Sequence, residues 1–250
     1  MHTLHYFVHI PKTAGVTVRT WLRKVFARDE VIFVYDGKLR EDPHALAFSR
    51  EELLRRAGEL PASLRVLFGH YMFEPESLLH DRCRAISLVR DARARVLSWR
   101  RYVLANGAAL PDPMLQDLAA RFAEGMGLAE ACARHGGIRE LDNGITRMLG
   151  SRRGPVGAVD ESALEQAMRN VERHFDYVGN IDWFDASMQR IAEVLGRPFA
   201  TVESQNVSRG GRSQADDAAE LSDRDAEWLA ARTQFDERLV RWLAERFRPY

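Results

Sequence analysis

Residues 6–17 run Tyr6-Phe7-Val8-His9-Ile10-Pro11-Lys12-Thr13-Ala14-Gly15-Val16-Thr17. The apolar run has the composition of a buried strand, and a Pro-Lys-Thr turn carries it straight into a helix. In that helix Val18, Trp21, Leu22, Val25 and Phe26 recur at the i, i+3, i+4, i+7, i+8 spacing of one apolar face, with Arg19, Arg23 and Lys24 opposite. A helix fixed this way against a core presents the unpaired N–H groups of its first turn, and these with the positive dipole end attract anions. Gly15 permits close approach, Lys12 adds a charge, and Thr13 and Thr17 add hydroxyls. Pro11, Lys12, Thr13, Ala14, Gly15, Val16 and Thr17 are therefore read as a phosphate cradle.

A nucleotide loop of the Gly-x-x-x-x-Gly-Lys-Ser/Thr kind carries its lysine at the end; here the lysine comes early, which disfavours ordinary ATP or GTP chemistry. A second strand-to-helix junction supports anion binding. Arg84-Ala85-Ile86-Ser87-Leu88-Val89 is a short apolar run ended by Arg90, Asp91 is placed to cap a helix, and Val96, Leu97, Val103 and Leu104 give that helix an inward stripe. Ser98 lies two turns into it, so guanidinium and hydroxyl can converge on one dianionic group.

Together the two segments resemble the donor-binding loops of sulfotransferases, especially the Golgi uronosyl 2-O-sulfotransferases and their bacterial relatives. The first is similar to their 5′-phosphosulfate loop, Pro-Lys-Thr-Ala/Gly-Gly-Thr-Ser/Thr, with Val16 in place of a threonine. The second is similar to Val-Arg-Asp-Pro-x-x-Arg-x-x-Ser-x-Tyr, in which the Arg and Ser hold the donor's 3′-phosphate; Ala92 stands for the proline and the arginine spacing is shifted. The resemblance implies a P-loop-like parallel sheet flanked by helices, the donor 3′-phosphoadenosine 5′-phosphosulfate, the product adenosine 3′,5′-bisphosphate, and a hydroxyl acceptor of carbohydrate type. The oligomeric state stays open, and the reaction that the resemblance implies requires no metal.

Lys12 is the expected stabiliser of charge on the departing phosphate. His70, at the carboxyl end of Val66-Leu67-Phe68-Gly69, is the expected base and a candidate acceptor contact, and Gly-His resembles the family's His-x-His with Phe68 in place of the first histidine. His9 lies within a strand run and is read as structural, with Glu74 and Glu76 as lesser base candidates. Asp142-Asn143-Gly144-Ile145-Thr146-Arg147 resembles the family's Asn-x-x-Thr-Arg-x-Leu segment, which would let Asn143 or Arg147 orient donor or acceptor; a capped helix explains it equally well. Asn206-Val207-Ser208-Arg209 resembles a late Asn-x-Ser/Thr element in a lid spanning Glu203 to Glu220, from which Arg209 and Arg212 would close over donor phosphate.

Composition fits one α/β domain over residues 1–250, with 46% hydrophobic and 29% charged residues. Lys plus Arg balances Asp plus Glu at 36 each, which argues against nucleic acid, though Arg93, Arg95, Arg100 and Arg101 form a candidate local basic patch. Two unpaired cysteines and eight scattered histidines give no disulfide framework and no metal-ligand spacing. The absence of a leader pattern and of any bilayer-length apolar run gives the expectation of a soluble, cytoplasmic bacterial protein without a membrane span.

Strands are expected at Leu4 to Ile10, Val31 to Tyr35, Arg65 to His70, Arg84 to Val89 and about Tyr177, with helices at Val16 to Ala27, Arg50 to Ala57 and Arg93 to Leu104. From Pro113 to His174 a mostly helical half is expected to cover the sheet's carboxyl edge, where ligands of open α/β sheets bind. A last helix from Ser222 to Arg246 buries Trp228, Phe235, Leu239, Trp242 and Leu243.

Overall fold

A computed structural model describes residues 3–34, 46–48, 50–74, 83–110, 112–135, 138–199 and 221–248. The lid segment with Arg209 and Arg212, and Glu76, lie outside them. Six parallel strands form one sheet: β1 (Leu4–Val8), β2 (Val31–Val34), β3 (Leu46–Phe48), β4 (Val66–Gly69), β5 (Cys83–Val89) and β6 (Phe175–Asn180), in the order β3-β2-β4-β1-β5-β6. The α/β class read from the sequence is the one observed. β1 lies between β4 and β5, so both segments that follow its neighbours emerge beside the loop that follows β1.

Burial on both faces explains why these strands are continuous apolar runs rather than alternating ones. On one face Tyr6, Val8, Val34, Leu67 and Val89 pack against Ile145 and Leu149 of α6 (Gly144–Gly150), Leu164 and Val171 of α7 (Glu161–His174), and Leu239 and Leu243 of α9 (Asp223–Arg246). On the other, Phe7, Phe33, Phe68 and Ile86 pack against Val18, Trp21 and Leu22 of α1 (Gly15–Val25) and Met188 and Ile191 of α8 (Phe184–Val194). Of the expected helical half, Pro113 to His174, α6 and α7 lie along a face of the sheet together with α9 rather than over its carboxyl edge. A third cluster joins α3 (Ala92–Asn106), α4 (Pro113–Ala123), α5 (Leu128–Arg134) and the start of α9. Among the described residues the remaining α-helix, α2, is Arg50–Arg55.

Local chemistry sets the ends of these elements. Asp91 accepts the Ala94 N–H as the cap of α3, and Ser222 accepts the Asp225 N–H at the start of α9. Ser87 Oγ donates to the Val8 carbonyl at 2.7 Å, tying β5 to the last residue of β1. Val96, Leu97 and Val103 point inward on α3 as expected, but Leu104 is exposed and the buried Trp99 completes that side instead.

Candidate active site

The parallel register brings the two anion-binding segments together. Val8 pairs with Ser87, so three residues on from each, Pro11 and Arg90 leave the sheet at one level and on one edge. Lys12 follows immediately, and the positive charges of Arg90 and Arg101 act on its half-buried ammonium. Burial first, then those two guanidinium groups, pull the Lys12 pKa down to about 8. The ammonium lies 4.2 Å from the centre of the Tyr102 ring.

The loop backbone is built for close approach. Lys12 (φ 72°) and Ala14 (φ 62°) both hold the left-handed conformation, which costs an L residue on the order of 1–2 kcal/mol. Ala14 is the N-cap of α1 and supplies no side-chain cap, which leaves the first-turn N–H groups of Gly15, Val16 and Thr17 for another acceptor. Thr17 is buried and Val16 is exposed. The Thr13 hydroxyl, read as a phosphate ligand, donates instead to the Ile10 carbonyl at 2.7 Å and pins the turn.

Next to this loop stand two histidines. The His9 N–H donates to the Gly69 carbonyl at 2.8 Å, which fixes His9 beside the residue that follows Gly69, His70. Their rings meet edge to face with centroids 4.2 Å apart, and Phe68 stacks on His9 at 4.8 Å. Burial and the nearby Arg19 bring the His70 pKa down to about 4. Burial pushes His9 lower than an ordinary imidazole, helped by His70, Arg19 and Lys12. Both rings are therefore neutral at pH 7, the form in which an imidazole accepts a proton.

The expected residues divide into those that converge and those that do not. Lys12, Arg90 and the loop share the sheet edge with His70. Ser98 is half-buried on α3, and Arg101 and Tyr102 follow it at i+3 and i+4, on its side of the helix. The candidate basic patch comes apart: Arg93 pairs with Glu237, Arg95 is fully buried against Asp236, Arg100 lies over Phe122, and only Arg101 faces Lys12. Glu74, the lesser base candidate, pairs with Arg153.

Asn143 and Arg147 belong to a buried junction between α6 and α9. The Asn143 N–H donates to the Arg232 carbonyl at 2.7 Å, while its Oδ1 accepts from Phe235 N at 2.9 Å and Asp236 N at 3.3 Å. The Asp236 carboxylate in turn accepts the first-turn N–H groups of Ile145 and Thr146. Arg147 is 2% exposed; it pairs with Asp142 and donates to the carbonyls of Asp142, Arg152, Gly154 and Pro155. The segment does form a short helix, but not the Gly-terminated one expected: Asn143 supplies no side-chain cap to α6, Gly150 lies inside it, and Ser151 (φ 56°) is its left-handed C-cap, while the Asn143 and Arg147 side chains are engaged within the fold.

Of the other members of this edge, His9 reads from the sequence as structural, Arg19 as part of the polar face of α1 and Arg101 as part of the candidate basic patch, while Tyr102 is passed over. Only the helical spacing from Ser98 signals Tyr102. A cavity of about 610 Å³ between α5 and α9, lined by residues including Cys132, Trp228, Arg224 and Arg232, includes none of the residues at this edge. Among the described residues no group of His, Cys, Asp and Glu is placed to hold a metal ion, and no helix is long and apolar enough to cross a membrane. Compared with protein-family models and with curated proteins, the chain matches none.

Proposed function

We propose that this chain is a sulfotransferase that moves a sulfuryl group from 3′-phosphoadenosine 5′-phosphosulfate to a hydroxyl of a carbohydrate acceptor. Belonging to the sulfotransferases, and acting in a bacterial cytoplasm, are parts of the same proposal. The observation that supports it is the shared edge of β1 and β5: the Lys12 loop and Arg90 leave adjacent parallel strands at the same level and interact electrostatically. One doubly phosphorylated adenosine can span two such cationic exits, its 5′-phosphosulfate on the loop and its 3′-phosphate on Arg90 and Ser98.

In the reaction an acceptor oxygen attacks sulfur and the bond from sulfur to the bridging phosphate oxygen breaks. The electron pair leaves with adenosine 3′,5′-bisphosphate, whose new charge Lys12 offsets, and the acceptor proton passes to neutral His70. The donor's negative charge opposes that of Arg19 and so raises the basicity of His70 when it is needed.

A thermal-shift titration with adenosine 3′,5′-bisphosphate and with ATP, on wild type, Arg90→Ala and Lys12→Ala, tests the reading, because a ligand that binds only the folded state must stabilise it. The bisphosphate is expected to raise the wild-type midpoint, ATP to do little, and Arg90→Ala to remove the effect. Equal shifts by both nucleotides would favour a kinase-like phosphoryl transferase. Bisphosphate binding without transfer to any glycan would favour a non-catalytic nucleotide-binding protein.

A further inference from the structure

A buried histidine with no hydrogen-bond partner is a poor choice for filling a strand end. His9 is 8% exposed, and neither Nδ1 nor Nε2 meets a partner among the described residues. Leaving a buried donor or acceptor unsatisfied costs about 1–3 kcal/mol, which an apolar side chain at this position would avoid. The direction in which the ring points suggests what completes it. A Cβ built on Gly15 would fall 1.7 Å from His9 Nε2 and 2.0 Å from Cε1, so the Nε2 edge occupies the space that Gly15, the first residue of α1, leaves open. Three features therefore meet around the start of α1: an uncapped helix start, two residues of positive φ in the turn before it, and an imidazole edge packed against Gly15 whose nitrogens are sealed from solvent and unpartnered.

We infer that His9 is an anion-binding residue of the loop, its neutral imidazole N–H donating to the same phosphate or sulfate oxygens that the first-turn amides of α1 hold. The inference rests on reading the loop as an anion cradle and adds a ligand group, from the residue that follows β1, that no motif supplies. Neutrality suits the task, because a neutral ring can be buried at far lower cost than an imidazolium and still carries one N–H. The ligand also links the loop to the base, since the ring that contacts the anion is the one against which His70 packs.

The variants His9→Leu and His9→Gln test this, with calorimetric titration of inorganic pyrophosphate and of adenosine 3′,5′-bisphosphate and ¹⁵N spectra of the imidazoles. Leucine removes the nitrogens without adding length, and glutamine returns an N–H near the Nε2 position. His9→Leu should melt no lower than wild type yet bind both probes roughly tenfold more weakly, the loss of one charge-assisted hydrogen bond. His9→Gln should restore affinity to within about threefold, and either probe should shift the wild-type His9 nitrogen signals. Wild-type affinity in His9→Leu overturns the inference, as does a fall in stability that accounts for the lost binding and is not recovered by glutamine. If pyrophosphate binding depends on His9 but the bisphosphate does not bind, the inference stands and the sulfonucleotide reading fails. A wild type that binds neither probe overturns both.

Discussion

The ammonium of Lys12 rests 4.2 Å from the centre of the Tyr102 ring, which joins the loop after β1 to the helix after β5 without any ligand. That contact offsets part of the cost of a cation half-buried beside two arginines, which together with burial hold its pKa near 8. Protonated Lys12 dominates below that value, so affinity for adenosine 3′,5′-bisphosphate should be highest below about pH 8 and decline above it. Lys12→Arg should move that decline beyond the accessible range, and Lys12→Met should abolish it while weakening binding by roughly ten- to a hundredfold. Stability has the opposite sign. Because the folded pKa lies below the lysine value of 10.5, the ligand-free fold gains stability as pH rises from about 8 to 10.5. Lys12→Met should therefore melt higher than wild type at pH 7, and a fluorescence-monitored melt checks this.

Gly15 and His9 should behave as one unit. A methyl group on Gly15 would enter the His9 ring, so Gly15→Ala should destabilise the protein by about 1–3 kcal/mol through overpacking. His9→Ala opens that space, and the double variant should recover most of the loss, leaving a coupling energy readable in a urea-unfolding cycle. Additive effects would mean that the two residues do not meet.

What was legible in the sequence follows from where the information is local. Buried parallel strands carry unbroken apolar runs, so Tyr6 to Val8 and Ala85 to Val89 declared themselves, as did the stripe of Val18, Trp21 and Leu22 on α1. The three-residue strand Leu46–Phe48 did not, because so short a segment has no period to detect. The placement of Lys12 beside Arg90 depends on strand order, which a resemblance implies but no local pattern states. The His9–His70 contact depends on register between β1 and β4, so His9 looked like strand filling. Asn143 and Arg147 are ambiguous in the sequence for a related reason: a polar segment that docks one helix on another has the same residue types as one that holds a ligand.

Acid should weaken the fold through His70. Its folded pKa of about 4 lies below the ordinary 6.5, so between those values the unfolded chain binds a proton that the native state refuses. Stability is then intact above about pH 6.5 and falls as pH drops towards 4, by about 3 kcal/mol at the 1.36 kcal/mol that each pKa unit represents. His70→Asn should flatten this dependence, as urea midpoints at pH 7 and pH 4.5 would register. Bound bisphosphate should flatten it too, because negative charge on the loop opposes Arg19 and raises the pKa of His70.

Arg147 separates a structural cation from a ligand-binding one. Its guanidinium and the Asp142 carboxylate are each 2% exposed, and Asp142 also accepts from Gly157 N at 2.9 Å and Arg232 Nη1 at 3.4 Å. Arg147→Met leaves that buried carboxylate with Arg232 as its remaining counter-charge and should cost about 3 kcal/mol, whereas pairing it with Asp142→Asn removes the carboxylate's charge and should recover part of the loss. Neither variant should alter bisphosphate affinity by more than about twofold once measured on folded protein, since the junction of α6 and α9 supplies no group to the loop. Arg90→Ala should show the reverse: near wild-type melting, with affinity lost. Calorimetry and thermal melts on the three proteins give both quantities, and selective loss of affinity in Arg147→Met would return that residue to the donor site.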